Sequence, residues 1–112
     1  MSKPDCLFCR IVTGEIPAQI VFETDHILAF NDIEPKAPTH VLFIPKTHVE
    51  SLSDVQDPNL YSTLFSAVAA YAHQHKLQDY RVVSNNGAGA GQSVFHWHVH
   101  LLAGRTLSWP PG

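Results

Sequence analysis

The sequence predicts an α+β domain in which a mainly antiparallel five-stranded sheet is covered on one face by one long helix, with a short helix at the N-terminus. Three observations carry that expectation. Five β-prone runs are separated by proline, glycine and Asp-His turn signals. One long segment keeps apolar residues at helical period behind the pair Asp57-Pro58, a capping residue followed by proline at the first helical position. No repeat, charge run or linker divides the 112 residues, a length that suits one core, so 1–112 reads as a single domain.

In chain order, residues 5–13 suit a short helix opened by Asp5 as N-cap and closed before Gly14. Pro17 prevents any helix from continuing through 15–17, because the residue before a proline avoids the α region. Residues 19–24 then form the first strand, Asp25-His26 a turn, and 27–32 the second strand of a hairpin. Pro35 and Pro38 make a stiff connection to a third strand over 39–44, stopped by Pro45. Residues 46–52 read as a turn into a short helical piece. The long helix spans roughly 58–75, with Leu60, Leu64, Ala67, Val68, Tyr71 and Ala72 on one side. His73 and His75 lie two apart near its end and do not face one another, so they suit its carbonyl terminus rather than a metal. Residues 80–84 make a fourth strand, 85–93 a glycine-rich loop, 94–102 the fifth strand and 104–112 a tail.

Composition excludes several classes of function. With 45% apolar and 15% charged residues and a formal charge of -3, the chain has no electrostatic footprint for nucleic acid or an anionic membrane. No apolar run approaches the roughly 18 residues of a membrane span, and the first residues show no targeting pattern, so the expected location is the cytoplasm. Eight histidines against two cysteines point to imidazole chemistry rather than a disulfide framework. In a reducing compartment, Cys6 and Cys9 at Cys-x-x-Cys spacing suggest metal binding or redox exchange, against the alternative of two unrelated buried thiols.

The chemistry concentrates near the C-terminus. Residues 96–102 read His-Trp-His-Val-His-Leu-Leu; on a strand, His96, His98 and His100 share one face and Trp97, Val99 and Leu101 the other. Fold-building does not ask for three imidazoles in a row, since Val, Ile or Thr serve a half-buried strand better. The glycines at 87, 89 and 91 just upstream would let backbone N–H groups converge on an anion, beside Ser93. Two mechanisms fit this pattern. Neutral imidazoles could hold a catalytic zinc that ionises water, or one imidazole could attack phosphorus while a neighbour handles a proton. Spacing alone does not choose between them.

The whole arrangement resembles the histidine triad family of nucleotide hydrolases and transferases, in particular its purine nucleoside phosphoramidase branch. Residues 96–102 fit the signature His-φ-His-φ-His-φ-φ, where φ is apolar. Phe30-Asn31-Asp32-Ile33, Ala37-Pro38-Thr39-His40, Ile44-Pro45-Lys46-x-His48, Gly91-Gln92-Ser93-Val94 and Trp109-Pro110-Pro111-Gly112 match as well, so the likeness runs from about residue 5 to the end. It implies a histidine-triad-like fold and makes His98 the nucleophile that forms a covalent nucleotidyl-imidazole on the α-phosphate. His100 and His40 would orient it and couple its proton, and Ser93 would contact the phosphate or the leaving nitrogen. Asp32 would accept both ribose hydroxyls, a role for a two-oxygen acceptor. Asn31, Asn85, Gly91 and Gln92 join the nucleotide contacts. Phe8, Ile11, Ile16, Phe30 and Ile33 would form the purine slot, although each is also an ordinary core residue type.

In some relatives the cysteine pair binds zinc, and the matching ligands here are Cys6, Cys9, His48 and His96. Four ligands with no open position suit a structural Zn2+. The resemblance further implies a symmetric homodimer with the Trp109 tail near the partner's site. The expected activity is hydrolysis of nucleoside 5′-phosphoramidates or acyl and aminoacyl nucleotides, with a purine nucleotide substrate. The alternatives are a dinucleoside polyphosphate hydrolase, a nucleotide-binding interaction protein, and a metallohydrolase using all three histidines.

Overall fold

A computed structural model describes residues 2–112. The regular elements are α1 (Leu7–Val12), β1 (Ile20–Glu23), β2 (Ile27–Asn31), β3 (Thr39–Pro45), α2 (Pro58–Gln74), β4 (Tyr80–Val83) and β5 (Val99–Ala103). Short 3-10 turns lie at Leu52–Asp54 and Ala88–Ala90. The strands form one sheet in the order β1-β2-β3-β5-β4, and every neighbouring pair is antiparallel, as the sequence predicts.

The sheet has a core on each face. Ile27 and Ala29 of β2, Val41 and Phe43 of β3, and Val99 and Leu101 of β5 pack on Leu64, Ala67, Val68 and Tyr71 of α2. The intervening residues, Leu28, Phe30, Leu42 and Ile44, pack on Phe8 and Ile11 of α1. β2 and β3 are thus apolar on both faces, which explains why they read as continuous apolar runs rather than alternating ones. α2 is capped by Asp57, whose Oδ1 accepts from the Asn59 amide at 3.0 Å. It ends in a Schellman arrangement, with Lys76 N–H donating to the His73 carbonyl and Leu77 N–H to the Ala72 carbonyl.

Three expectations need correction. α1 is capped by Cys6 rather than Asp5, and the Cys6 sulfur accepts the Cys9 amide at 3.3 Å. Pro45 does not stop β3 but closes it, opposite Ile27. β5 begins at Val99, not Val94. Its pairing with β3 reaches only as far as Phe43 opposite Val99, and upstream the Trp97 amide donates instead to the Val49 carbonyl, at 2.6 Å. The side-chain alternation survives the loss of pairing. Trp97, Val99, Leu101 and Ala103 belong to the α2-side core, while His98 and His100 open on the α1 side.

Candidate active site and metal cluster

A cleft of about 290 Å3 opens on the α1 side of the sheet. His98 and His100 line it, with Phe8 and Ile11 from α1, Ile16 from the following turn, Phe30, Asn31, Asp32 and Ile33 from the end of β2, and Ser93 from the loop before β5. Ten expected site residues therefore meet in one cavity. Phe8 stands edge-on to both Phe30 and the His98 ring, with centroids 5.4 and 5.2 Å away. Phe8, Ile11 and Phe30 serve the second core and the cleft together, but Ile33 is 95% exposed at the rim and packs no core. Leu42 also lines the cleft; two residues past His40 on β3, it could have been found by strand alternation.

The imidazoles form an ordered chain whose protons can be placed from their partners. The Lys36 amide donates to His40 Nδ1 at 3.0 Å, so a neutral His40 carries its proton on Nε2. That atom lies 2.9 Å from His100 Nδ1 and 3.5 Å from Asp32 Oδ2, so His40 donates and His100 accepts. His98 Nδ1 lies 2.8 Å from the His96 carbonyl oxygen, which can only accept. The His98 proton is therefore on Nδ1, and its Nε2 lone pair is left for the cleft. Burial pushes all these rings towards the neutral form. His100 falls to about 4, through burial first and then the neighbouring His98 and His40. His98 and His40 are also lowered by burial, opposed at His98 by the carbonyl bond and at His40 by the Asp32 carboxylate.

The glycine-rich loop is more self-contained than its composition suggests. The amides of Gly87, Ala90, Gly91 and Gln92 are all consumed inside it, the first by the Gln92 side-chain oxygen at 2.8 Å. The Gln92 amide nitrogen donates onward to the carbonyls of Glu50 and Val94. Gln92 thus braces the loop from behind, and neither it nor Asn85 or Gly91 lines the cleft. Only the far end of the loop, Ser93 and Val94, borders the cavity, so the expected glycine nest is narrower than the spacing implied. The Asn31 side-chain nitrogen is also occupied, donating to Gln19 Oε1 at 2.9 Å, while Asp32 Oδ1 accepts the Glu34 amide.

The three histidines do not converge on one point. The His96 ring is fully buried and points behind the cleft, with Nε2 2.7 Å from the Pro45 carbonyl oxygen. That contact places the His96 proton on Nε2 and leaves a lone pair on Nδ1, 3.4 Å from Cys6 Sγ and 3.5 Å from Cys9 Sγ. His48 Nδ1 lies 3.3 Å from Cys9 Sγ. The donor atoms of Cys6, Cys9, His48 and His96 all fall within 4.8 Å of one another. A tetrahedral zinc with sulfur at about 2.3 Å and nitrogen at about 2.05 Å requires sulfur-to-nitrogen edges of about 3.5 Å, which this spacing meets. The chemistry fits as well. Burial pushes His96 down to about 4 and lowers His48, while it raises the Cys9 thiol, so without a cation these three donors favour their neutral forms. A divalent cation would reverse the thiol preference outright. A second group, Asp32, His40 and His100, also lies within metal-binding distance, but its atoms are accounted for by the proton chain above.

Comparison with known proteins agrees with this geometry. The family model described as the HIT domain matches residues 13–107. The chain belongs to the HIT family. A HIT family hydrolase from Legionella pneumophila superposes with a TM-score of 0.92 at 48% identity, covering 96% of this chain and all of that one. The 14 kDa zinc-binding protein of Zea mays is 43% identical over 95% of this chain and 87% of its own length. Adenylylsulfatase HINT1 of Arabidopsis thaliana is 40% identical over 99% of this chain and 79% of its own. These likenesses support a HIT hydrolase that binds nucleotides. The backbone groups that orient its imidazoles, namely the Lys36 amide and the carbonyls of Pro45 and His96, carry no residue-type signal and could not be read from the sequence.

Proposed function

We propose that this HIT protein hydrolyses nucleoside 5′-phosphoramidates and acyl or aminoacyl nucleotides in two steps through His98. The observation that carries the reading is the His98 ring, tied by Nδ1 to the His96 carbonyl, with Nε2 left for a cleft that also holds Ser93 and Asp32. In the first step the Nε2 lone pair attacks phosphorus and the bond to the leaving nitrogen breaks. The departing nitrogen keeps the electron pair and takes a proton drawn from solvent through the Ser93 hydroxyl. Water then attacks phosphorus, the electron pair returns to His98 Nε2, and the proton of the water is released. Throughout, His100, itself held by His40, packs edge-on against the His98 ring with centroids 5.1 Å apart, and Asp32 would accept the ribose hydroxyls at the rim. The adenylylsulfatase name of the Arabidopsis relative fits a leaving group other than an amine on the same adenylyl half.

Cys6, Cys9, His48 and His96 would hold a structural zinc, a reading supported by donor spacing and by the name of the maize relative. When bound, it would clamp the start of α1 to the turn after β3 and to the approach to β5. The enzyme works as a symmetric homodimer in the cytoplasm. Supporting the dimer, β4 is an edge strand whose Tyr80 and Val82 are 38% and 37% exposed. The test is a panel of AMP, GMP and CMP phosphoramidates with wild type and His98→Ala. Turnover of the purine substrates should fall at least a thousandfold in the variant, an order of magnitude expected for loss of a covalent nucleophile. A variant with wild-type turnover, or a wild type that prefers a diadenosine polyphosphate by kcat/KM, overturns the reading.

A further inference from the structure

His98 lies just outside the sheet. Pairing of β5 with β3 ends at Val99 and pairing with β4 ends at His100, so His98 itself is paired in neither ladder. Its carbonyl oxygen accepts instead from a side chain, the Ser84 hydroxyl at 3.2 Å. Ser84 is the first residue beyond β4 and, like Trp97, does not line the cleft. The hydroxyl is itself fixed. Trp97, fully buried and edge-on to Tyr61 with centroids 5.7 Å apart, donates its indole Nε1–H to Ser84 Oγ at 3.1 Å. An indole nitrogen can only donate, so Oγ accepts there and its one proton is left for the His98 carbonyl.

We propose that Ser84 is a positioning residue for the nucleophile, holding the backbone of His98 so that Nε2 is aimed into the cleft. The inference rests on the hydrolase reading above. The bond from Nδ1 to the His96 carbonyl sets how the ring is turned, but both partners belong to one short stretch and move with it. On the β3 side that stretch is held by the Trp97 amide on the Val49 carbonyl and by His96 Nε2 on the Pro45 carbonyl. Ser84 supplies the hold on the β4 side, and Trp97 anchors it in the core beneath α2. A side chain thus takes over where the β4 ladder stops. The placement matters because shifting an attacking atom by about 1 Å costs on the order of a hundredfold in rate.

The experiment measures kcat and KM for the AMP phosphoramidate, and the thermal midpoint, on protein purified without chelator: wild type, Ser84→Ala, Ser84→Thr and Val68→Ala. Val68→Ala truncates the α2-side core away from the cleft and controls for lost stability. Ser84→Ala should lower kcat roughly tenfold with KM changed less than about twofold, because the lost bond aims the attacking atom and does not bind the nucleotide. Ser84→Thr keeps the hydroxyl and should recover most of the loss. Val68→Ala should lower the thermal midpoint with kcat kept within about twofold. Wild-type kcat in Ser84→Ala, a change in KM alone, equal losses in the alanine and threonine variants, or an equal loss in Val68→Ala each overturn the role of Ser84 and leave the hydrolase standing. A wild type that does not turn over the phosphoramidate overturns both.

Discussion

A histidine whose Nδ1 proton is committed to a carbonyl two residues back has a single lone pair left, and at His98 that pair is on Nε2 beside the cleft. The same logic makes His100 an acceptor for His40, which requires His100 Nδ1 to stay unprotonated. The groups facing His100 are His98, His40 and the Asp32 carboxylate. Burial, with the two imidazoles, outweighs the carboxylate and holds His100 at about 4 against an ordinary 6.5. The consequence for pH has a definite sign. Above pH 6.5 the ring is neutral in folded and unfolded chains alike and contributes nothing to pH dependence. As pH falls from 6.5 towards 4, the unfolded chain takes up a proton that the folded one refuses, so folding stability declines over that window. Activity should follow the folded value. In a kcat/KM profile taken from about pH 8 downward, with circular dichroism on the same samples, turnover stays flat through the ordinary imidazole range and declines only below it. A limb centred at the ordinary histidine value in a folded sample would show that the chain is less buried than described.

At the scale of elements, the end of α2 carries a local conflict. Lys76 has φ of 55°, the left-handed region where a Cβ costs roughly 1 kcal/mol, because both terminal bonds of the Schellman arrangement require it. Lys76→Gly should therefore stabilise the fold by about 1 kcal/mol in urea unfolding with an unchanged m-value, and an unchanged or lower midpoint contradicts it. This conflict also shows which elements a sequence discloses. α2 is legible because Asp57-Pro58 and a helical apolar period act locally, and β2 and β3 because two cores demand apolar residues on both faces. The start of β5 is not legible. His96 to His98 have the alternation of a strand, but whether they pair depends on how far β3 and β4 run alongside, and that pairing stops at Phe43 and Val83. The Asp5 cap fails for a similar reason: cap preferences compare side-chain oxygens, whereas here Cys6 is held facing His96 and its sulfur takes the amide. Gln92 reads as a ligand contact because its motif borders the site, yet its amide is spent on three backbone groups of the loop and its surroundings.

The whole molecule couples its two halves through α1, a helix of six residues, too short to persist alone. It is held from one side by Phe8 and Ile11 on the second core, and from the other by Cys6 and Cys9 against His48 and His96. Phe8 and Ile11 are also walls of the cleft, so whatever fixes the cysteine pair fixes the cleft as well. Protein purified without chelator should carry about one equivalent of zinc, the stoichiometry of a closed four-ligand site. Stripping it should lower Tm by roughly 10 °C, about 2 kcal/mol for a domain of this size, and speed amide exchange across α1. Because α2 and its core make no contribution to the cluster, exchange in α2 should change little until global unfolding. Kinetically, the stripped enzyme should lose affinity before chemistry: KM for the nucleotide rises as Phe8 and Ile11 loosen, while kcat falls less, since the His98 bond to the His96 carbonyl is made by the backbone. Removal of a full equivalent of metal with Tm and α1 exchange unmoved would mean that the second core alone secures α1. A proportionate fall in kcat and kcat/KM at constant KM would instead place the metal's effect on the nucleophile rather than on the pocket.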